Sequence, residues 1–119
     1  MPVAKAAEKI ATAMQALPGV TSSPHRFGGT EYRLERREIG HVHGDSLVDI
    51  PFTKKIREEL VGAGKAERHH ILPDSGWVSV FLRESADVDR AIELLRYSYE
   101  RARPRGMDSQ ATQARHETV

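Results

Sequence analysis

Apolar residues at Val3, Ala6, Ala7, Ile10, Met14 and Leu17 recur at helical spacing and predict a helix with one oily stripe, stopped by Pro18-Gly19. Val20–Phe27 contains Thr21, Ser22, Ser23 and Pro24 and predicts an edge or irregular strand, because proline cannot donate to a ladder. Gly28-Gly29 turns the chain toward a partner. Thr30–Val42 reads as one long strand. Tyr32 and Leu34 point one way and Glu31, Arg33, Glu35 and Arg37 the other. Arg36 and Glu38 break that alternation before Ile39 takes over as the apolar residue, and a bulge near there, or a wet stretch of sheet, would explain the switch. His43-Gly44-Asp45-Ser46 is a turn signal, and Leu47–Ile50 returns from it as a short strand.

Pro51-Phe52-Thr53 opens a second helix. Thr53 serves as the cap, Phe52, Ile56, Leu60 and Ala63 lie on one face, and Gly62 and Gly64 provide a stop. Lys65–Leu72 and Trp77–Leu82 read as a strand pair about a Pro73-Asp74-Ser75-Gly76 turn. In the second of these strands Val78, Val80 and Leu82 share one face, with Trp77 and Phe81 on the other. Ser85 is placed to cap a last helix, with Asp87 and Asp89 in its first turn. The buried stripe of that helix is Val88, Ala91, Ile92, Leu95, Ser98, Tyr99 and Ala102; Tyr97 falls off it.

Hairpin-linked strands with helices segregated between them predict an α+β fold. The expected form is an antiparallel sheet of about five strands, in the order α-β-β-β-α-β-β-α, with helices mainly on one face. Residues 1–103 make one domain, and the polar composition of 104–119 predicts a disordered tail.

Composition narrows the chemistry. There is no cysteine, which excludes disulfides, thiolate metal sites and a cysteine nucleophile. No apolar run approaches the roughly 18 residues of a membrane span. Lys5, Glu8 and Lys9 interrupt the apolar positions near the N-terminus, so a cytoplasmic protein with no membrane partner is expected. The glycines are too scattered for a phosphate loop and no G-x-S-x-G elbow occurs, so there is no nucleotide motif and no serine-hydrolase signature. Arg33, Arg36 and Arg37, with Lys54, Lys55 and Arg57, invite a nucleic-acid reading, but Glu31, Glu35, Glu38, Glu58 and Glu59 dilute them. The net charge of +1 argues neither way, but this interspersed pattern reads as a solvated, salt-bridged surface and disfavours nucleic acid as a partner.

Gly40–Phe52, GHVHGDSLVDIPF, is the most distinctive stretch. On an extended strand His41 and His43 project to the same face, about 6–7 Å apart at Cα. Two such imidazoles can present a divalent metal, with Asp45, Asp49 or a cross-strand histidine as third ligand. His69 and His70 are adjacent, so on a strand only one of them can supply that group. The plain alternative is that the histidines bond to neighbours or water and Asp45 makes the turn with its own backbone. Asp49, between Val48 and Ile50, needs a partner if buried, and Arg36, Arg37 or a histidine can provide it. His41, His43, Asp45 and Asp49 are also the candidates for acid–base catalysis. Trp77 could line a pocket or anchor the core.

The blocks G-H-x-H-G-D-x-x-x-D-x-P-F and R-H-H-x-x-P-x-S-G-W, with a closing helix ending S-Y-E-R, resemble the bacterial and fungal "luciferase domain" family over Glu38–Arg101. These are small proteins of unestablished function. The resemblance implies that His41, His43, Asp45, Asp49, Pro51, Phe52, His70, Pro73, Gly76 and Trp77 belong to the family pattern. Ser46 stands where the pattern has glycine. The name implies no bioluminescence here, and nothing in the sequence would bind a flavin. The W-V-S-V…S-Y ending is also similar in outline to MmcQ/YjbR-like domains, a helix-flanked antiparallel sheet. The expected function is binding or interaction, with a ligand-binding patch of His41, His43, Asp45, Asp49, His70 and Trp77 for a small-molecule or protein partner. A metal-assisted or His/Asp acid–base enzyme at the same patch is the alternative, with His41, His43 and His70 the expected ligands of a metal, and a nucleic-acid-binding strand at Arg33–Arg37 a third.

Overall fold

The computed structural model describes residues 2–25 and 28–103. The predicted tail over 104–119 and the end of the first predicted strand at 26–27 lie outside them. The elements are α1 (Ala6–Gln15), β1 (Val20–Pro24), β2 (Thr30–Leu34), β3 (Arg37–His43), β4 (Leu47–Ile50), α2 (Lys54–Gly62), β5 (Glu67–Arg68), β6 (Val78–Phe81) and α3 (Ser85–Ala102). The fold is α+β, with one six-stranded antiparallel sheet in the order β1-β2-β3-β4-β6-β5. Val42, Val48, Ile50, Val78 and Val80 line its inner face and bury against α1 and α3 through Ile10, Met14, Val88, Ala91 and Leu95. α2 packs along β5 at one end. Among the described residues no helix is long and apolar enough to cross a membrane.

Three predicted elements differ. The long strand Thr30–Val42 is a hairpin: Glu35-Arg36 reverse the chain, Glu35 in the left-handed region at φ 57°, and Leu34 pairs with Arg37. Period alone does not expose a turn with neither glycine nor proline. The expected bulge does lie in β3, where Tyr32 pairs with Gly40 but Arg33 with Glu38, leaving Ile39 as the extra residue. Ser98 Oγ, on the buried stripe of α3, donates to the Ile39 carbonyl at 2.8 Å and so satisfies a group inside the core.

The predicted strand Lys65–Leu72 shrinks to Glu67–Arg68, and residues 69–77 form a loop. Arg57 on α2 fixes that loop from below. It is buried, and its Nη1 donates to the carbonyls of Ser75 at 2.7 Å and Pro73 at 3.3 Å. Gly76 presses on Phe52, where a Cβ would sit 2.0 Å from the Phe52 carbonyl oxygen; no other residue fits.

The cap of α3 is Glu84 rather than Ser85. Asp87 Oδ2 accepts the amides of Arg83 at 2.9 Å and Glu84 at 3.0 Å, and Arg90 approaches Oδ1 at 3.0 Å. Burial alone would raise the Asp87 carboxyl, but these bonds outweigh it and hold the pKa below its ordinary 3.8. A depressed carboxyl stabilises the fold fully above its unfolded value and loses that contribution as pH falls through its folded value. Asp87→Ala is therefore expected to cost about 1 kcal/mol by urea unfolding near neutral pH. The gap between the two proteins should close on acidification below about pH 4.

Candidate functional site

The outer face of the sheet carries a polar row. Glu31, His41, Asp49, Ser79 and Glu67 are successive cross-strand partners, with Asp49 on the central strand β4. Alternation that aims Val48 and Ile50 into the core aims Asp49 outward, yet it is only 1% exposed. A buried carboxylate must be charge-compensated or hydrogen-bonded. Four imidazoles and a hydroxyl do this. Oδ2 faces Nε2 of His43 at 3.1 Å, of His41 and His70 at 3.2 Å, and of His69 at 3.5 Å, while Ser79 Oγ donates to Oδ1 at 2.7 Å. Of the partners open to Asp49, histidine is the one used; neither Arg36 nor Arg37 reaches it.

His41 and His43 share a face because they are two apart on β3. Glu38 is three before His41, which on a regular strand would put it on the opposite face. The bulge at Ile39 reverses the phase, and His41 Nδ1 donates to Glu38 Oε2 at 2.7 Å. His69 and His70 both reach Asp49, contrary to the one-of-two expectation, because β5 ends at Arg68 and loop backbone is free of strand alternation. Nδ1 of His69 accepts the amides of Ile71 at 3.1 Å and Leu72 at 3.0 Å, which folds the loop around the ring.

Aromatic rings close the site. His25, just past β1, stacks on His41 at 4.2 Å, and Trp77 lies 5.2 Å from His41 and 6.0 Å from His69 by ring centroids. Phe81 lies 6.5 Å from His70.

Burial opposes a charge on His41, but its bonds to Asp49 and Glu38 and their negative charges prevail, raising its pKa to about 9. Burial lowers His43 and His69 toward the neutral form. Asp49 is raised by burial, yet His41, Ser79 and the other histidines hold it well below the usual carboxylate range. The cluster thus balances one carboxylate chiefly with one imidazolium, backed by Glu38.

Of the residues predicted for the site, His41, His43, Asp49 and His70 meet at one oxygen and Trp77 borders them. Asp45 is not brought there. Its Oδ1 accepts the Ala7 amide at 2.8 Å, and its carbonyl accepts Val3 N–H at 3.2 Å. It caps α1, whose own N-cap residue Lys5 offers no side-chain bond, and so does more than make its turn. The basic strand is likewise engaged: Arg33 pairs with Glu31, and Arg37 bonds the Arg101 carbonyl. Sequence reasoning does not single out Glu38, Ser79 or His25. A serine amid Val78, Val80 and Phe81 is a signal for Ser79; the other two depend on the bulge and the β1–β2 register.

Ligand atoms within 4.8 Å of one another form two groups that share Asp49: His41, His43 and Asp49, and Asp49, His69 and His70. The fold and this cluster define a small α+β domain with a histidine–aspartate centre on one sheet face. The pattern of the Luciferase domain family matches residues 36–98, just over half the chain, and the protein belongs to that family. No curated protein and no solved structure matches it.

Asp49→Asn keeps the shape but leaves protonated His41 without its buried counter-charge. In chelator it is expected to destabilise the protein by about 3–5 kcal/mol in urea unfolding. Asp45→Ala, which removes only a helix cap, should cost about 1 kcal/mol.

Proposed function

We propose that this chain is a binding domain for a divalent transition metal, with Nε2 of His41, Nε2 of His43 and the Asp49 carboxylate as ligands and His70 beside them. The observation that carries this reading is the His41 ring. Its Nδ1 donates to Glu38 at 2.7 Å, which leaves Nε2, aimed at Asp49, with a lone pair once a cation replaces the proton. A carboxylate behind a ligating histidine fixes its tautomer and raises its basicity. The 3.1–3.2 Å spacings from the His41 and His43 nitrogens to Asp49 Oδ2 also support it. With bonds of about 2.0–2.1 Å, two ligand atoms on a tetrahedral cation stand roughly 3.3 Å apart. Two imidazoles and one carboxylate suit zinc or another first-row ion rather than magnesium or calcium. Three protein ligands leave a coordination position for water or a small molecule.

The acid–base alternative uses the same residues, with protonated His41 as the acid and Asp49 as its counter-charge. Metal uptake separates the two. Trp77, the only tryptophan, lies 5.2 Å from His41, so its fluorescence should be quenched as Co2+ or Cu2+ is titrated in. His41→Ala/His43→Ala should lose that response, and Glu38→Gln should weaken affinity by about 10–100-fold. A wild-type chain without stoichiometric metal after dialysis against zinc would exclude the metal reading.

A further inference from the structure

The two potential ligand groups, His41–His43–Asp49 and Asp49–His69–His70, look equivalent in composition and share one carboxylate. Taken at face value they describe a centre for two cations bridged by Asp49. The hydrogen bonds on the far side of each ring break that equivalence. In His41 the far nitrogen is a donor, bonded to a carboxylate, so the near nitrogen can offer a lone pair. In His69 the far nitrogen is an acceptor, engaged by the amides of Ile71 and Leu72. A neutral His69 ring then carries its proton on Nε2, which is the atom facing Asp49 Oδ2 at 3.5 Å. Ligation through that atom would require moving the proton to Nδ1, against two amide hydrogens already pointing there.

The carboxylate itself agrees. A carboxylate that bridges two cations commonly gives one oxygen to each, but all four imidazoles approach Oδ2, and Oδ1 accepts the Ser79 hydroxyl at 2.7 Å. Only one oxygen is presented to the histidines.

We propose, resting on the metal reading above, that His69 is a positioning residue: it orients Asp49 as a donor, limits the centre to one cation, and ties that centre to the loop at 69–77. Ligating carboxylates are themselves held by outer hydrogen bonds, and His69 is that outer partner. The coupling runs through one ring. Ile71 and Leu72 are exposed at 71% and 53%, so little packing holds them in place; the His69 ring bonds both of their amides. A ligand that contacts these two residues from solvent therefore acts on the same ring that orients Asp49.

Co2+ titration, ring 15N NMR and amide exchange on wild-type protein, His69→Asn and His69→Gln test this. The Asn oxygen takes the place of Nδ1 and the Gln amide nitrogen that of Nε2, so each variant keeps one half of the role. Wild type should bind one Co2+ per chain, with His69 in the Nε2–H tautomer before and after loading. His69→Asn should keep one ion and the same visible spectrum, bind it about 10–100-fold more weakly, and retain slow exchange at Ile71 and Leu72. His69→Gln should bind close to wild type, with faster exchange at those two amides. Two ions in wild type falling to one in His69→Asn, a metal-induced shift at His69 Nε2, or unchanged affinity in His69→Asn overturns the proposal. A wild-type chain that takes up no Co2+ overturns the metal reading itself, and the His69 tautomer in the same metal-free sample separates that failure from a failure of the residue's role.

Discussion

A carboxylate with 1% exposure at the centre of a sheet dictates most of what surrounds it. Asp49 sits in Leu47–Ile50, a strand whose other residues bury by hydrophobic transfer, and its charge opposes that burial. Nothing on its own strand can compensate it. The donors come from β3, β6 and the loop after β5, so the neighbouring elements must arrive in register before the carboxylate is tolerable. A one-residue slip of β3 would turn His41 and His43 into the core and take two of its four imidazoles from Asp49. The cluster therefore specifies register as well as chemistry.

The loop at 69–77 shows the same dependence. It has little regular structure, yet it is pinned at three points: the His69 ring bonds two of its amides, buried Arg57 takes two of its carbonyls, and Gly76 closes on Phe52. Each pin satisfies backbone groups that a strand would have paired in a ladder. The result delivers two consecutive histidines to one carboxylate, which regular β structure forbids. The block R-H-H-x-x-P-x-S-G-W of this chain is intelligible on these terms. His69 and His70 reach Asp49, Ser75 Oγ bonds the Leu72 carbonyl and the Trp77 amide, and only glycine fits beside Phe52.

The α+β class, the antiparallel sheet and the three helices were legible in the sequence because periodicity and breakers report local structure directly. The pair His41-x-His43 and the isolated Asp49 stood out for the same reason: spacing on a strand fixes the face. What was hidden depended on irregularity. The reversal at Glu35-Arg36 lacks turn residues, so β2 and β3 read as one strand. Glu38 reaches His41 only through the bulge, and His69 joins His70 only because the strand stops at Arg68. Asp45 looked like a site residue and is a helix cap, because its partner Ala7 is 38 positions away. Long-range partners of this kind leave no local trace.

Composition alone makes the cluster two similar halves, but solvent and tautomer make them different. The His41 side chain is 11% exposed and that of His69 9%, and each is locked from behind, one by an acceptor and the other by two donors. His43 and His70 are more open, at 29% and 34% of their side chains. The inner pair therefore sets geometry, and exchange with solvent takes place on the outer pair. Exposed Ile71 and Leu72 follow His70 on the same loop, and the Phe81 ring lies 6.5 Å from that of His70. The loop that brings Asp49 its third and fourth imidazoles therefore also carries two exposed apolar side chains.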